Sequence, residues 1–338
     1  MSAQVDLSSF DINGPGLEGK LFGLPFDPEN AKVVIVPVPW EATVTYGAGA
    51  ANGPAAILKA SRQLDFFMRE IPDAWKLGVA MQPVPTELKA ESDRVRALAA
   101  HLRTHGADSD PMVIASKINE ACESLNVYVK KISEQLLAAG KVVGILGGDH
   151  STPLGLMRAL SQRHDKFGIL QIDAHADLRK AYEGFIYSHG SIMLNALKMP
   201  AVHTLTQVGI RDLCDEEFRL IAQNKSRIKT FFDEDLHTTS NREELCDQIV
   251  RSLPDKVYIS FDIDGLDPKL CPHTGTPVPG GIDFYFATSL IRAVVKSKRK
   301  IIGFDLCEVA PGPESDWDAN VGSRILWHLA CWTAFGSR

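Results

Sequence analysis

Residues 167–179 read FGILQIDAHADLR and join an unbroken apolar run to a group of polar side chains. In that group, Asp173, His175 and Asp177 occupy every second position directly after the run. Because alternate residues of an extended chain point to the same side, the spacing predicts that these side chains converge at the end of a buried strand. Carboxylates held so close together are costly without a positive partner, and a metal ion is the simplest candidate.

Similar apolar runs recur along the chain and predict its fold class. They are continuous rather than alternating, and segments of helical length separate them. This pattern is typical of an α/β fold in which helices cover both faces of a mostly parallel sheet. Besides residues 167–172, the runs lie at residues 31–40, 141–146, 202–210, 228–232, 256–263 and 300–306.

The segments between these runs differ in how clearly they predict structure. Residues 112–139 carry apolar side chains at helical spacing and end at Gly140, which predicts a long helix. Residues 66–110 are rich in proline and charge and show no clear period. We expect them to form a surface excursion with one helix near residues 91–104.

Length and composition exclude several classes of protein. A chain of 338 residues with 45% hydrophobic content is expected to form one large domain over residues 31–338, after an N-terminal arm of residues 1–30. The net charge of −6, without a basic block, argues against nucleic acid as a partner. No membrane helix or signal peptide is recognisable, so we expect no membrane association and a cytoplasmic location. The six cysteines lack a CxxC pair and are expected to be reduced and mostly buried.

Polar clusters follow three further apolar runs, in the segments GGDHS, SFDIDGLDP and GFDLCEVAP. The carboxyl ends of parallel strands share one edge of a sheet, so these clusters are predicted to meet DAHAD there. Isolated aspartates at such positions usually order turns, which is the interpretation for Asp149, Asp267 and Asp305. The best placed metal ligands are His150, Asp173, His175, Asp177, Asp262 and Asp264.

These six donors exceed the needs of one tetrahedral ion and predict a pair of ions. Four carboxylates and two imidazoles form a hard, oxygen-rich set, which favours manganese over zinc, with nickel, cobalt or iron as lesser alternatives. Carboxylates that bridge two ions suit a site that activates a shared water molecule.

Five segments together resemble the signatures of the ureohydrolases, the arginase and agmatinase superfamily. They are GGDHS, DAHAD, SHGS at residues 188–191, SFDIDGLDP and the EVAP that follows GFDLC, and the resemblance extends from about residue 33 to the C-terminus. It implies a three-layer αβα sandwich around a mostly parallel sheet of about eight strands. It also implies two Mn²⁺ ions per subunit, with Ni²⁺ as the alternative, hydrolysis of a guanidino compound to urea and an amine, and a homo-oligomer, either a trimer or a hexamer.

The resemblance also implies roles for individual residues. The six predicted ligands match the metal ligands of the family, and Asp177 is in addition expected to steady the reacting centre. His189 matches a histidine proposed as a proton shuttle, although by itself it would be interpreted as a surface or turn histidine. Glu308 matches the carboxylate that holds the guanidinium group.

The loop at residues 178–191, LRKAYEGFIYSHGS, is more similar to agmatinases than to arginases. The expected substrate is therefore agmatine, cleaved to putrescine and urea in polyamine metabolism. Guanidinobutyrate, guanidinopropionate, guanidine and arginine remain alternatives, and so does a non-catalytic relative that binds metal as a partner subunit.

Several residues near this site are left with open roles. Trp40, next to Glu41, either narrows the pocket or packs at the end of the sheet. Arg179 and Glu183 either pair with each other or contact the substrate. Three further residues, Tyr46, Gly47 and His273, lie in loops expected at the same edge and receive no role.

Overall fold

The computed structural model describes residues 5–105, 110–239 and 241–337, and is built around one eight-stranded sheet. Every strand pairing in it is parallel, and the strand order is β2-β1-β3-β8-β7-β4-β5-β6. The predicted α/β class and parallel sheet are confirmed. The strands are β1 (Val33–Val38), β2 (Val79–Met81), β3 (Val142–Gly147), β4 (Phe167–Ile172), β5 (Val202–Ile210), β6 (Ile228–Phe232), β7 (Lys256–Asp262) and β8 (Lys300–Cys307).

The central strands are largely apolar because both faces of the sheet are covered. All six residues of β4 are buried. Leu170 and Ile172 belong to one hydrophobic core, whereas Phe167 and Ile169 belong to a second core on the opposite face. Successive side chains of a strand alternate between faces, so a strand covered on both sides has no solvent-facing position. The polar side chain of Gln171 is buried and donates to Asp173 Oδ2 at 2.8 Å.

Ten α-helices occur in the described residues and divide between the two faces. Helices α1 and α7 to α10 contribute to the first core, and helices α2 to α6 contribute to the second. The helices are α1 (Gly53–Ser61), α2 (Thr86–His105), α3 (Pro111–Ala138), α4 (Leu154–Ser161), α5 (Ile192–Leu197), α6 (Asp215–Gln223), α7 (Asp233–Thr238), α8 (Arg242–Arg251), α9 (Phe284–Lys296) and α10 (Trp317–Gly336). Because helices cover both faces of the sheet, the predicted three-layer arrangement is confirmed.

The excursion at residues 66–110 is more ordered than its sequence indicates. It contains the edge strand β2, which pairs with β1 and has only three residues, too few to show a pattern. Helix α2 has 20 residues and begins before the expected residue 91. Val95 and Ala99 on α2 are buried against the second core, while the rest of the helix is largely charged.

The segment before β1 also contacts the core. Leu21, Phe22 and Leu24 are buried, and the Phe22 ring meets the edge of the Trp327 ring with centroids 4.9 Å apart. The division into an arm of residues 1–30 and a domain of residues 31–338 stays a prediction.

Two features bear on the class of protein. Within the described residues, no helix is long and apolar enough to cross a bilayer. All six cysteines are described; none is in a disulfide, and five are buried.

The ring of His328 on α10 lies in an apolar environment. Its Nδ1 atom is buried and has no hydrogen-bond partner among the described residues, and the Phe284 ring packs against it edge-on at 5.9 Å. Burial disfavours the charged imidazolium and lowers the pKa of His328 to about 4.

We expect His328 to make the fold sensitive to acid. Since its folded pKa lies below its unfolded value, the unfolded chain takes up the proton first, and stability falls as the pH drops from about 6.5 towards 4. The loss attributable to this histidine is about 3 kcal/mol at the acid end. Urea unfolding between pH 7 and pH 4 should show a smaller loss for His328→Phe than for the native chain. The same substitution at the exposed His203 is the control, and equal acid sensitivity of the native chain and His328→Phe would contradict the assignment.

Candidate active site

The candidate site lies at the carboxyl edge of the sheet, where four neighbouring strands end. Strands β3, β8, β7 and β4 are adjacent in the sheet, although they come from distant parts of the chain. The side chains that follow them meet at one place, as the sequence predicts. The residues brought together are His150, Glu308, Asp262, Asp264, Asp173, His175 and Asp177.

His150 forms the centre of a first group of donors. Its Nδ1 atom lies 3.0 Å from Asp173 Oδ2, 3.0 Å from Asp177 Oδ2 and 3.3 Å from Asp262 Oδ2. None of these contacts is aligned as a hydrogen bond, so Nδ1 is a buried nitrogen without a hydrogen-bond partner in the described residues. A cation between these four atoms would satisfy all of them, which a single shared proton cannot do.

His175 forms a second group that shares one carboxylate with the first. Its Nδ1 atom lies 3.0 Å from Asp264 Oδ2 and 3.7 Å from Asp173 Oδ1. The two oxygens of Asp173 thus face different histidines. His150, Asp173 and Asp262 are close enough to one another to ligate one ion, and so are Asp173, His175 and Asp264. Asp173 is common to both sets, and Asp177 adjoins the first set through His150.

The electrostatics of the cluster indicate a shortage of positive charge. Burial and the neighbouring Asp173 raise the pKa of Asp177 to about 7. Burial and the neighbouring Asp264 raise the pKa of Asp262 well above its usual value. Burial opposes a charged imidazole at His150, yet contacts with three carboxylates raise its pKa well above the ordinary value. The protein would therefore retain protons here unless a cation replaces them.

A hydrogen-bonded chain behind His150 orients its ring. His150 Nε2 contacts Ser260 Oγ at 2.8 Å, and Ser260 Oγ donates to Asp305 Oδ2 at 2.9 Å. Tyr258 Oη donates to the same carboxylate oxygen at 2.7 Å. Occupying Nε2 in this way leaves Nδ1 directed at the carboxylates. The sequence predicts only a turn role for Asp305 and does not indicate this contact with Ser260. Ser260 lies two residues before Asp262 on β7, and this spacing puts both side chains on the same face of the strand.

Glu308 lies beside the first group. Its Oε1 atom accepts from the His150 backbone N–H at 2.8 Å, and its own N–H donates to the Gly148 carbonyl at 2.8 Å. Its backbone has a φ of 63°, a left-handed conformation that is rare outside glycine. Burial and the nearby Asp149 raise the pKa of Glu308 well above its usual value. A cationic ligand at this carboxylate would favour its charged form.

Trp40 packs behind this loop rather than in the pocket. Its side chain is buried and belongs to the second core. A Cβ atom at Gly148 would overlap the Trp40 carbonyl, so the GGDHS loop approaches Trp40 as closely as glycine permits. The interpretation of Trp40 as a packing residue at the sheet end is the one that the structure supports.

A cavity of about 140 Å³ opens over His175 and Asp177. His189 lies in its wall, and its Nδ1 atom is 3.5 Å from Thr43 Oγ1. Burial, together with the nearby His175, His150 and Arg103, lowers the pKa of His189 to about 4. The cavity is lined by Thr45, His175, Asp177, Arg179, Tyr182, His189, Gly190, Asp212, Glu217 and Thr276. A larger groove between α8 and α9 contains none of the predicted site residues.

Arg179 and Glu183 do not pair with each other, which makes that interpretation wrong. Arg179 Nε lies 3.8 Å from Glu217 Oε2, and its guanidinium group stacks 4.9 Å from the centre of the Tyr182 ring. Glu183 instead pairs with Arg103 on α2. No sequence pattern distinguishes Glu217, because its position at the start of α6 is typical of an ordinary capping residue.

Of the residues without a predicted role, His273 is paired and Tyr46 is exposed. His273 Nδ1 lies 2.8 Å from Asp318 Oδ2, while the side chain of Tyr46 is 87% exposed. The Gly47 N–H donates to the Gly275 carbonyl at 3.0 Å and joins their two loops.

The chain is similar to known proteins over most of its length. The model of the arginase family matches residues 31–331. The N(1)-aminopropylagmatine ureohydrolase of Thermus thermophilus is 35% identical over 301 residues, or 89% of each chain. The agmatinase of Serratia proteamaculans is 30% identical over 291 residues, which is 85% of this chain and 82% of that protein.

A solved structure shows the same fold. The agmatine ureohydrolase of Thermoplasma volcanium superposes with a TM-score of 0.72 at 22% identity, over 96% of each chain. The predicted eight-stranded sandwich and the predicted hydrolase class are both confirmed. By the family match and by its similarity to these ureohydrolases, the chain belongs to the arginase family.

Proposed function

We propose that the protein hydrolyses the guanidino group of a linear guanidino amine to urea and a free amine. The observation that carries this proposal is the cavity over the two donor groups, whose single Lys or Arg among the described lining residues, Arg179, is already opposed by Glu217. Asp212 lies at the same cavity with its side chain 66% exposed. The surroundings therefore favour a cationic tail over a carboxylate tail.

The reaction needs a fixed electrophile and a proton for the leaving amine. Water oxygen bonds to the guanidino carbon, the bond from that carbon to the alkylated nitrogen breaks, and this nitrogen takes a proton. A guanidinium ion is a poor electrophile because its charge is delocalised, so a carboxylate has to hold it in one orientation. Glu308 is proposed for this role because it lies beside the first donor group, although it is not among the residues that line the cavity. Divalent ions held by the His150 and His175 groups would supply an activated water molecule.

His189 is suited to moving a proton between water and the amine. With a pKa of about 4 its ring is neutral at pH 7, so it first accepts a proton and then passes it on. Thr43 and Tyr182 hold the ring from two sides of the cavity wall. Asp177 completes the wall beside the first donor group.

The proposed cofactor is a pair of Mn²⁺ ions, with Ni²⁺ as the alternative. His150, Asp173, Asp177 and Asp262 would hold one ion, and Asp173, His175 and Asp264 the other. Four carboxylates without cysteine favour a hard ion.

Metal content should follow this division. We expect the Mn²⁺-loaded, desalted protein to carry two ions per chain by elemental analysis, and His150→Asn and His175→Asn to carry about one each. Asp173→Asn should weaken both sites because its two oxygens face both histidines. His203→Asn, an exposed histidine on β5, is the matched control. Two retained ions in all three site variants would contradict the ligand assignment.

Two guanidino amines are the main candidates for substrate. The loop at residues 178–191 favours agmatine. N1-aminopropylagmatine is the second candidate, since the Thermus relative with that name is more similar to this chain than the Serratia agmatinase is, at 35% against 30% identity. Both carry a positively charged tail, which the Asp212 carboxylate at the cavity would attract, whereas guanidinobutyrate and guanidinopropionate carry a negative one.

The deciding experiment is urea release by the Mn²⁺-loaded protein, repeated with Ni²⁺. The panel contains agmatine, N1-aminopropylagmatine, arginine, guanidinobutyrate, guanidinopropionate and guanidine. We expect the highest kcat/KM for one of the two guanidino amines. A preference for either carboxylate substrate would overturn the argument from Arg179 and Asp212. Silence on the whole panel with two ions bound would favour the non-catalytic, partner-binding alternative.

A substitution at Asp212 tests the tail separately from the chemistry. For Asp212→Asn we expect KM for the preferred guanidino amine to rise roughly tenfold, because one charge contact at a partly exposed site is lost. Guanidine has no tail, so its kcat/KM should change much less. Because Asp212 Oδ2 also lies 3.8 Å from His175 Nε2, metal content has to be measured in the same samples. Equal losses for the two substrates would show that Asp212 acts through the metal site instead.

The trimer or hexamer and the cytoplasmic location remain predictions.

A further inference from the structure

Helix α2 reaches the loop that follows β1 through two of its side chains. Arg96 forms an ion pair with Glu41, whose side chain is only 2% exposed. Ser92 Oγ accepts from the Glu41 N–H at 2.8 Å. The other carboxylate oxygen of Glu41 accepts from the Gly49 N–H at 2.6 Å and from the Ala51 N–H at 3.2 Å. The loop at residues 41–51 is therefore fastened to α2 through one buried carboxylate.

A third side chain of α2, Arg103, lies nearer the cavity and makes two contacts. Its Nε atom donates to Glu183 Oε2 at 2.6 Å, and its Nη2 atom donates to the Thr43 carbonyl at 3.4 Å. Glu183 and Thr43 lie on different loops. Arg103 is thus a bridge between them.

Glu183 sits at the tip of a tight hairpin. Tyr182 and Phe185 exchange backbone hydrogen bonds of 3.1 and 2.8 Å, and Glu183 and Gly184 both have positive φ, of 53° and 85°. Glutamate is unusual at such a position, so a partner for its side chain helps to keep this turn. Asn119 on α3 holds the hairpin independently, through the Gly184 carbonyl at 3.1 Å and the Ile186 N–H at 2.9 Å.

The two loops that Arg103 joins both contact His189. Thr43 Oγ1 lies 3.5 Å from its Nδ1 atom. The ring of Tyr182 meets the His189 ring edge-on, with centroids 6.2 Å apart and an angle of 70°. The His189 ring thus lies between one side chain from each of the two loops.

We propose that Arg103 is a positioning residue, and that α2 acts as a clamp that sets the distance between the loop at residues 41–51 and the hairpin at residues 182–185 around His189. This inference rests on the proposed function, in which His189 handles a proton. Arg103 itself does not line the cavity. Small displacements of a proton-transfer group reduce the rate steeply, whereas one partly exposed ion pair contributes little to global stability.

The test compares Arg103→Met with Arg94→Met. Arg94 is on the same helix and also pairs with a glutamate, Glu91, but it lies outside the cavity. For Arg103→Met we expect kcat on the preferred guanidino amine to fall about tenfold to a hundredfold, with KM changing less and with metal content and melting temperature retained. Arg103→Lys should recover part of kcat because it keeps the charge but lacks the planar fork. Arg103→Met combined with Glu183→Gln should lose no more than the larger single loss, because both remove the same bridge.

Amide hydrogen exchange provides a readout that needs no substrate. Exchange within residues 41–51 and 182–190 should speed up in Arg103→Met and stay unchanged in Arg94→Met. Inactivity of the native protein on every substrate would contradict the proposed function. The hydrogen-exchange measurement would still test the clamp, because it needs no substrate. Unchanged exchange, or a kcat for Arg103→Met within twofold of Arg94→Met, would overturn the positioning role. Faster exchange combined with the loss of kcat would support it.

Discussion

The constraint on which the structure depends is the gathering of four buried carboxylates around two imidazoles. Asp173, Asp177, Asp262 and Asp264 approach His150 and His175 at distances of 3.0–3.7 Å. Such a cluster is unfavourable unless positive charge compensates it, and the raised pKa values of Asp177, His150 and His175 express that demand as retained protons. The surrounding fold forms a frame that holds the carboxylates and imidazoles in this arrangement.

The frame acts in successive layers. Backbone N–H groups hold the carboxylates directly, as when His175 N–H donates to Asp173 Oδ1 at 2.7 Å and Asp264 N–H donates to Asp262 Oδ1 at 2.9 Å. Behind them, Ser260 and Asp305 fix the ring of His150. Further out, the close approach of Gly148 to Trp40 fixes the loop itself. Each layer restricts the movement of the charged groups, which would otherwise move apart.

How much of this could be predicted depends on whether a feature is local in the chain. The spacing of Asp173, His175 and Asp177 after an apolar run is local, and parallel topology then brings them to Asp262 and Asp264. The ion pair between Arg103 and Glu183 joins residues 80 positions apart. Both are ordinary charged side chains, so no sequence pattern predicts that they pair. Strand β2 is not predicted from the sequence, because three residues are too few to show an apolar pattern. Arg179 pairs with Glu217 and not with Glu183. The two carboxylates are chemically equivalent, so the sequence cannot distinguish them, and the packing of α6 determines which one lies near Arg179.

The strand order has a consequence for how the protein matures during synthesis. Strand β8, the last of the sheet, lies between β3, which precedes His150, and β7, which ends at Asp262. Until residues 300–307 have left the ribosome and inserted, the β2-β1-β3 segment and the β7-β4-β5-β6 segment share no backbone pairing. His150, which follows β3, therefore cannot be held against Asp173, Asp177 and Asp262 by the sheet until β8 has inserted, and long-range parallel pairing of this kind forms slowly. Asp173, His175 and Asp264 follow the directly paired strands β4 and β7, so the topology makes the first donor group, but not the second, dependent on the last strand of the chain.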